Sequence, residues 1–382
     1  VLELIASGAL DVKTLISHRY DLEQAEKAYE LISDKKFSLG IILNYPGVEI
    51  TDRSKNITLL KSSSIKKKYE HEINKKINVS FIGSGNYASS VLIPSFKVTG
   101  VNFISIASKT GVSATHIGRK YGFLETTTDT DNLLKNDKTE AVVINTNHNS
   151  HADFVIKSLK AKKNVFVEKP LCLNLNELNE IKETYNPSNI LMIGFNRRFA
   201  PQIKKIKSLL SDINEPKSFI MTINAGEIPK DHWTQDLEVG GGRIIGEVCH
   251  FIDLLRFLAG EIIIKYQIQF MKSLTKDTAS IQLTFQDGSI GSIHFFANGS
   301  KFLPKERLEV FARGGVLQLD NYRKLIGYGW HSFKKMNLWQ QDKGQKACTK
   351  AFIEAISKGD SSPIPIEEIF EVSEISIKLA NQ

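Results

Sequence analysis

The stretch Asn78-Val79-Ser80-Phe81-Ile82-Gly83-Ser84-Gly85-Asn86-Tyr87-Ala88 decides the fold. Five residues of strand character run into a turn with glycine at its first and third positions. Glycine permits the tight turn and lets a phosphate approach the backbone closely. The residues after the turn open a helix, whose first N–H groups lack intrahelical acceptors and carry partial positive charge. Ala88 stands where a third glycine is common, and it is still small enough for close helix–strand packing. Gly83, Ser84, Gly85, Asn86, Tyr87 and Ala88 are therefore candidate cofactor-binding residues. A bare glycine match is a weak signal, so its surroundings decide.

Those surroundings alternate short apolar strands with helices. Strands are expected over 78–82, 102–107, 141–145, 165–167 and 190–195, with helices such as 152–162 and 175–184 between them. Asn174 and Glu177 have capping-box spacing at the start of the latter helix. The alternation predicts a parallel sheet covered on both faces over 77–195. From 196 onward the pattern changes. Strands of alternating character are expected over 218–225, 266–270, 280–285, 289–296, 307–312 and 316–320, with hairpin turns at Asp287-Gly288 and Gly314-Gly315. Helices are expected over 243–259, 343–358 and 366–380. The fold class is thus α/β: a dinucleotide-binding domain, 77–195, followed by an α+β domain, 196–382, with a mostly antiparallel open sheet. An open sheet needs a partner on its second face, and a homo-oligomer built through it is the expectation.

With 382 residues, 41% hydrophobic and 24% charged, the chain can bury two cores. Its net charge of +8 is spread widely. The densest lysine cluster, 61–76, holds a single aromatic residue, Tyr69, too few to stack successive bases, so no nucleic acid is expected. Excess positive charge suits nucleotide cofactors equally well. The three cysteines, Cys172, Cys249 and Cys348, lie far apart without metal-ligand spacing. Neither a disulfide framework nor a metal is implied, and a reducing cytoplasmic setting fits. The most apolar helix candidate, 248–258, contains Asp253 and Arg256, so no membrane span is expected.

Residues 1–45 read as a small unit of their own, with a helix starting at Asp21 and a strand over 39–43; it is too small to bury a core alone. With Leu15-Ile16-Ser17-His18-Arg19-Tyr20 ahead of its helix, it resembles the C-terminal end of zinc-type medium-chain alcohol dehydrogenases. It carries no catalytic or metal-ligand motif of that family. Residues 46–76, with Pro46-Gly47 and a serine- and lysine-rich run, read as a mobile linker.

Several motifs carry chemistry. Asn164-Val165-Phe166-Val167-Glu168-Lys169-Pro170 delivers a charged pair to a turn at a strand end, where proline restricts the residue before it. A strand end with solvated charges is the plainer reading. After the second strand stands Ser108-Lys109-Thr110, without the carboxylate that would hold a ribose hydroxyl. Hydroxyls around a cation suit the extra phosphate of NADP, which is slightly favoured, while a carboxylate elsewhere would select NAD. In Asn145-Thr146-Asn147-His148-Asn149-Ser150-His151, at a third strand end, Thr146, Asn147 and His151 are candidate cofactor contacts. His148 has no evident place. Gly240-Gly241-Gly242 leads into a helix on which Glu247, His250 and Asp253 fall along one stripe. A core histidine satisfied by a carboxylate is the plainer reading of that stripe.

Taken in order, the glycine turn, Glu168-Lys169-Pro170, Gly194-Phe195-Asn196-Arg197-Arg198-Phe199 and the triple glycine before His250 resemble the glucose–fructose oxidoreductase, inositol dehydrogenase and rhizopine catabolism (Gfo/Idh/MocA) family. The resemblance covers about four-fifths of the chain. With the N-terminal unit, it is similar to two-part chains associated with bacterial surface-polysaccharide and sugar metabolism. It implies an NAD(P)-dependent oxidoreductase acting on a secondary hydroxyl or keto group of a sugar, cyclitol or nucleotide sugar. It places Lys169 between nicotinamide and substrate, with Glu168 at the cofactor, and makes His250 the general acid/base. Many members carry an aspartate four residues before that histidine, where this chain has Gly246. Glu247 is then a longer-reaching substitute, or this subgroup does without one. Asn196, Arg197, Asp231, His232 and Trp233 are candidate substrate contacts. Two other readings stay open: a cofactor-binding sensor on the same fold, and an inactive fragment of a longer two-part enzyme, since the chain starts at Val1 in what reads as mid-helix.

Overall fold

The computed structural model describes residues 1–34, 37–45, 55–59, 76–273 and 275–382. It divides into two units, Val1–Ser54 and Lys55–Gln382. In the first, strand β1 (Ile16–Asp21), the helix Ala25–Ser33 and strand β2 (Gly40–Asn44) form a βαβ unit with parallel strands. Asp21 ends β1 instead of capping the helix, and a single 3₁₀ turn, Leu22–Gln24, intervenes. Only Ala28 is a buried hydrophobic residue among the described part of this unit, while Leu4, Ile5, Tyr29 and Ile32 are exposed. The described residues of this unit form no core of their own.

In the second unit the strands run β3 (Asn56–Thr58), β4 (Asn78–Ile82), β5 (Asn102–Ala107), β6 (Glu125–Thr127), β7 (Ala141–Ile144), β8 (Asn164–Val167) and β9 (Leu191–Ile193). They form one sheet in the order β3-β6-β5-β4-β7-β8-β9, parallel except for β3 against β6. Every residue of β4, β5 and β7 is buried, as expected for strands covered on both faces. The chain leaves β4 toward β5 on one side and later returns to place β7 on the other. That reversal creates a crevice at the carboxyl ends of the strands, where open α/β sheets bind ligands.

The expected linker is interrupted by structure. Asn56–Thr58 is the antiparallel edge strand of this sheet, and β6 is a second strand unexpected from sequence; residues 46–54 and 60–75 lie outside the described residues. The helix Leu175–Thr184 starts as its spacing suggests. Asn174 Oδ1 accepts the Glu177 N–H at 2.9 Å, and Glu177 Oε2 accepts the Leu173 N–H at 2.8 Å. Replacing Asn174 by alanine is expected to cost about 1 kcal/mol, read from chemical denaturation.

Strands β10 (Ser218–Asn224), β11 (Ile263–Phe270), β12 (Ala279–Phe285), β13 (Ile290–Phe296), β14 (Glu306–Ala312), β15 (Gly315–Asp320), β16 (Lys324–Tyr328) and β17 (Lys335–Asn337) form the second sheet, in the order β11-β12-β13-β10-β14-β15-β16-β17. All neighbours are antiparallel except β10 and β13. The helices Cys249–Ala259 and Ile366–Ala380 pack together beside it. The hairpin joining β14 to β15 turns at Arg313 (φ 49°) and Gly314 (φ 74°), one residue earlier than expected. Gly315 is instead the first residue of β15, where a Cβ would lie 2.6 Å from the Trp330 indole nitrogen.

The two layers share a core. Phe81, Phe96, Phe166 and Phe352 meet edge to face at 5.5, 5.4 and 5.5 Å in succession. Phe352 lies on the helix Gln345–Lys358, so the C-terminal chain returns to pack on the dinucleotide-binding layer.

Candidate active site

Three strand ends of the first sheet converge at the crevice. After β4, Gly83 has φ 107°, and a Cβ there would lie 2.1 Å from the Asn145 carbonyl oxygen. Only glycine lets the turn pass beside the end of β7. At Gly85, in contrast, a Cβ would meet nothing within 4 Å, so the turn is open on its outer side. Helical backbone begins at Asn86 and passes through a π-helical turn, Ala88–Leu92, with Ala88 fully buried. Ser84 Oγ lies 2.7 Å from Ser113 Oγ, which donates to Ser108 Oγ at 3.4 Å. Lys109 makes no ion pair among the described residues. This cradle fits a dinucleotide: an open glycine turn for the pyrophosphate, then hydroxyls and a cation at the end of β5.

After β7, Thr146 Oγ1 lies 2.6 Å from Ser150 Oγ, and Asn147 is exposed. His151 differs from the expected cofactor contact. It is buried, with Nδ1 2.7 Å from the Pro170 carbonyl and Nε2 3.1 Å from the Thr146 carbonyl. Both nitrogens are taken by backbone, so the ring braces two strand-end turns against each other. His148 has a definite place: Nδ1 lies 2.7 Å from the Gly240 carbonyl, and its ring meets Trp233 at 4.8 Å. Burial, and then the charge of Lys169, push its pKa down to about 3.

After β8 comes the charged pair. Glu168 is buried, its carboxyl packed where a Cβ on Gly194 would come within 2.7 Å. Burial raises its pKa to about 7 against the opposing pull of Lys169. Glu168 also adds to burial in raising the Tyr87 phenol. Lys169 reaches across to the second layer, where its Nζ donates to the Gly246 carbonyl at 2.6 Å.

Gly246 lies in a π-helical turn, Ile244–Val248, which runs directly into the helix carrying His250. The π turn breaks the ideal-helix stripe expected for Glu247, His250 and Asp253. Glu247 is engaged elsewhere, by Arg243 at 2.7 Å and Lys305 at 3.4 Å. Burial works upward on its carboxyl, but Lys305 and Arg243 outweigh it and hold the group below the ordinary range. An ionised, doubly paired Glu247 is a poor proton carrier, contrary to the catalytic role expected of it. Asp253 pairs with Arg198. His250 keeps both ring nitrogens without a protein partner among the described residues, and Nδ1 is buried. Burial first, then Arg197, Lys169, Lys305 and Lys343, drive its pKa well down, so the ring is neutral.

Of the expected substrate contacts, Arg197 is committed to the protein. Its guanidinium forks onto Glu306 at 2.8 and 2.9 Å and lies 4.9 Å from the centre of the Phe251 ring. Asn196 Nδ2 donates to the Lys343 carbonyl at 2.6 Å. His232 Nδ1 lies 2.8 Å from Thr234 Oγ1 on the exposed loop that brings Trp233 to His148.

Two family models match the chain. The oxidoreductase family with an NAD-binding Rossmann fold matches residues 77–195, and the GFO/IDH/MocA C-terminal domain matches 204–318. The chain belongs to the Gfo/Idh/MocA family. Myo-inositol 2-dehydrogenase of Thermotoga maritima is 30% identical over 214 residues, covering 54% of this chain and 64% of that protein. The scyllo-inositol 2-dehydrogenase (NAD(+)) of Bacillus subtilis is 29% identical over 182 residues, 46% of this chain and 51% of that protein. The chain thus spans less than two thirds of the length of these curated relatives. In fold it is similar to a levoglucosan dehydrogenase solved with NADH and levoglucosan, with a TM-score of 0.72 at 19% identity over 80% of this chain and 97% of that one. Within this Gfo/Idh/MocA fold, the crevice at 83–88, 145–151 and 168–170 faces the π turn and His250 of the second layer through the Lys169–Gly246 bond. Among the described residues no helix is long and apolar enough to cross a membrane.

Proposed function

We propose that the chain is an NAD(P)-dependent dehydrogenase acting on a secondary hydroxyl of a sugar, cyclitol or nucleotide sugar. One observation carries the reading: Lys169, beside the cofactor crevice, touches the turn that leads to a buried histidine with no protein partner among the described residues. A buried unpartnered imidazole nitrogen costs about 1–3 kcal/mol, a cost that a ligand hydroxyl removes. Lys169 donates to the substrate oxygen and stabilises the charge that develops there. His250 is neutral and receives the hydroxyl proton, returning it in the reverse direction. A bound nicotinamide dinucleotide supplies the hydride acceptor. The turn 83–88 holds its pyrophosphate, and Thr146 and Glu168 lie beside the strand ends that would face its nicotinamide.

The hydroxyls of Ser84, Ser108 and Ser113, with Lys109, favour the 2′-phosphate of NADP. Fluorescence titration of the full chain with NADPH and NADH is expected to show about tenfold tighter NADPH binding, an advantage lost in Lys109→Ala. Equal or reversed affinities assign NAD instead. Turnover is then tested with the better cofactor on myo-inositol, scyllo-inositol, levoglucosan and nucleotide sugars. Cofactor binding without turnover of any of these favours a sensor. The open face of the second sheet exposes Ile290, Phe296, Phe311 and Tyr328, which supports a homo-oligomer formed there. The parallel βαβ unit at the N-terminus supports a remnant of an alcohol-dehydrogenase-like domain, and a cytoplasmic setting suits the three free, buried cysteines.

A further inference from the structure

Gly246 has no side chain, and the space beside it is filled from the other layer of the molecule. A Cβ built on Gly246 would lie 3.0 Å from His148 Cε1 and 3.4 Å from His148 Nδ1. A larger residue at 246 therefore requires His148 to give way by a few tenths of an ångström. The histidine is held in place deliberately. The Gly240 carbonyl can only accept, so the 2.7 Å contact makes Nδ1 the donor. Gly240 is followed by two residues at positive φ, Gly241 (72°) and Gly242 (75°), so the triple glycine aims this carbonyl as well as leading into the helix. Trp233 closes one side of the ring at 4.8 Å.

With Nδ1 donating, Nε2 is left as an acceptor, and no described residue occupies it. The same Gly246 that His148 touches gives its carbonyl to Lys169 at 2.6 Å. The ring therefore sits beside the lysine at the junction of the two layers.

We infer that His148 is a substrate-positioning residue: its Nε2 accepts a hydrogen bond from a substrate hydroxyl neighbouring the one that Lys169 and His250 handle. The ligand class is a vicinal diol of a sugar or cyclitol ring. A lone alcohol leaves this acceptor unpartnered, and that discrimination is the function of the residue. The inference rests on the dehydrogenase reading above.

The test is steady-state kinetics of the full chain on whichever of myo-inositol, scyllo-inositol and levoglucosan the unaltered protein oxidises best, with NADH titration of each variant. His148→Asn is expected to raise KM about tenfold while kcat changes less than threefold and NADH affinity less than twofold. Gly246→Asp alone is expected to lose far more, because its Cβ meets the imidazole. His148→Asn combined with Gly246→Asp is expected to recover at least tenfold in kcat/KM over Gly246→Asp. An unchanged KM in His148→Asn, a parallel loss of NADH affinity, or a double variant no better than Gly246→Asp overturns the inference. Failure of the dehydrogenase reading shows differently: the unaltered protein then oxidises none of the three, and the inference falls with it.

Discussion

Lys169→Ala is expected to lower turnover by about 10²–10³-fold while NAD(P)H still binds within a few-fold of the unaltered protein. The lysine links the cofactor crevice to the π turn before His250 through its 2.6 Å bond to Gly246. Removing it takes away the donor that stabilises developing charge on the substrate oxygen. The glycine turn at 83–88 does not depend on it, so cofactor affinity survives. A second readout follows from its field. Lys169 is among the charges that depress the His250 imidazole, after burial and Arg197. A neighbouring cation disfavours the imidazolium, so its loss must move the pKa of His250 upward. Oxidation needs the neutral ring, and the acid limb of the residual rate is therefore expected at higher pH in Lys169→Ala. Turnover within tenfold of the unaltered protein, on a confirmed substrate, would sink the assignment.

Local chemistry was readable in the sequence, and long-range pairing was not. The runs of β4 and β5 end where expected, because strands buried on both faces are mostly apolar, and a glycine turn marks the exit of β4. The edge strand β3 was hidden in a charged, serine-rich stretch, and β16 in a short segment interrupted by Gly327. Neither has the core-facing alternation that makes a strand legible. The parallel pairing of β10 with β13 inside an otherwise antiparallel sheet depends on residues far apart in the chain, and no periodicity encodes it. The site divides in the same way. Lys169 and His250 stand out because strand end, proline and glycines flank them. His148 had no evident role until its partner, the Gly240 carbonyl 92 residues later, fixed its tautomer. Arg197 looked like a substrate ligand because Glu306, its partner, is 109 residues away. Glu247 looked like a proton carrier because ideal-helix geometry ignores the π turn and the cations around it.

The Arg197–Glu306 pair carries the second large expectation. Glu306 opens β14 and its side chain is fully buried; it receives the Arg197 fork and also Lys343 Nζ at 2.7 Å. Burial alone would push its carboxyl upward, but Arg197 and then Lys343 outweigh it and hold the pKa at about 2. Glu306→Gln leaves two cations without a counter-charge in a desolvated place, and breaking such a pair from one side costs about 3–5 kcal/mol. Chemical denaturation of the full chain is expected to show that loss. Arg197→Lys, which keeps the charge but not the fork, should lose less. The pH dependence has a definite sign. A carboxyl depressed from 4.5 to about 2 adds stability that is fully present above pH 4.5. That stability is lost as pH falls through about 2, and the Glu306→Gln variant should lack this part of the acid transition. The pair also bears on the chemistry, because Arg197 is the first charge, after burial, that depresses His250. With Glu306 neutral, the field of Arg197 at His250 is no longer offset, and proton uptake by the ring becomes harder. Glu306→Gln should therefore lower kcat even under conditions where the variant is fully folded. A variant with unchanged stability and unchanged kcat would overturn both the structural and the electrostatic role given to the pair.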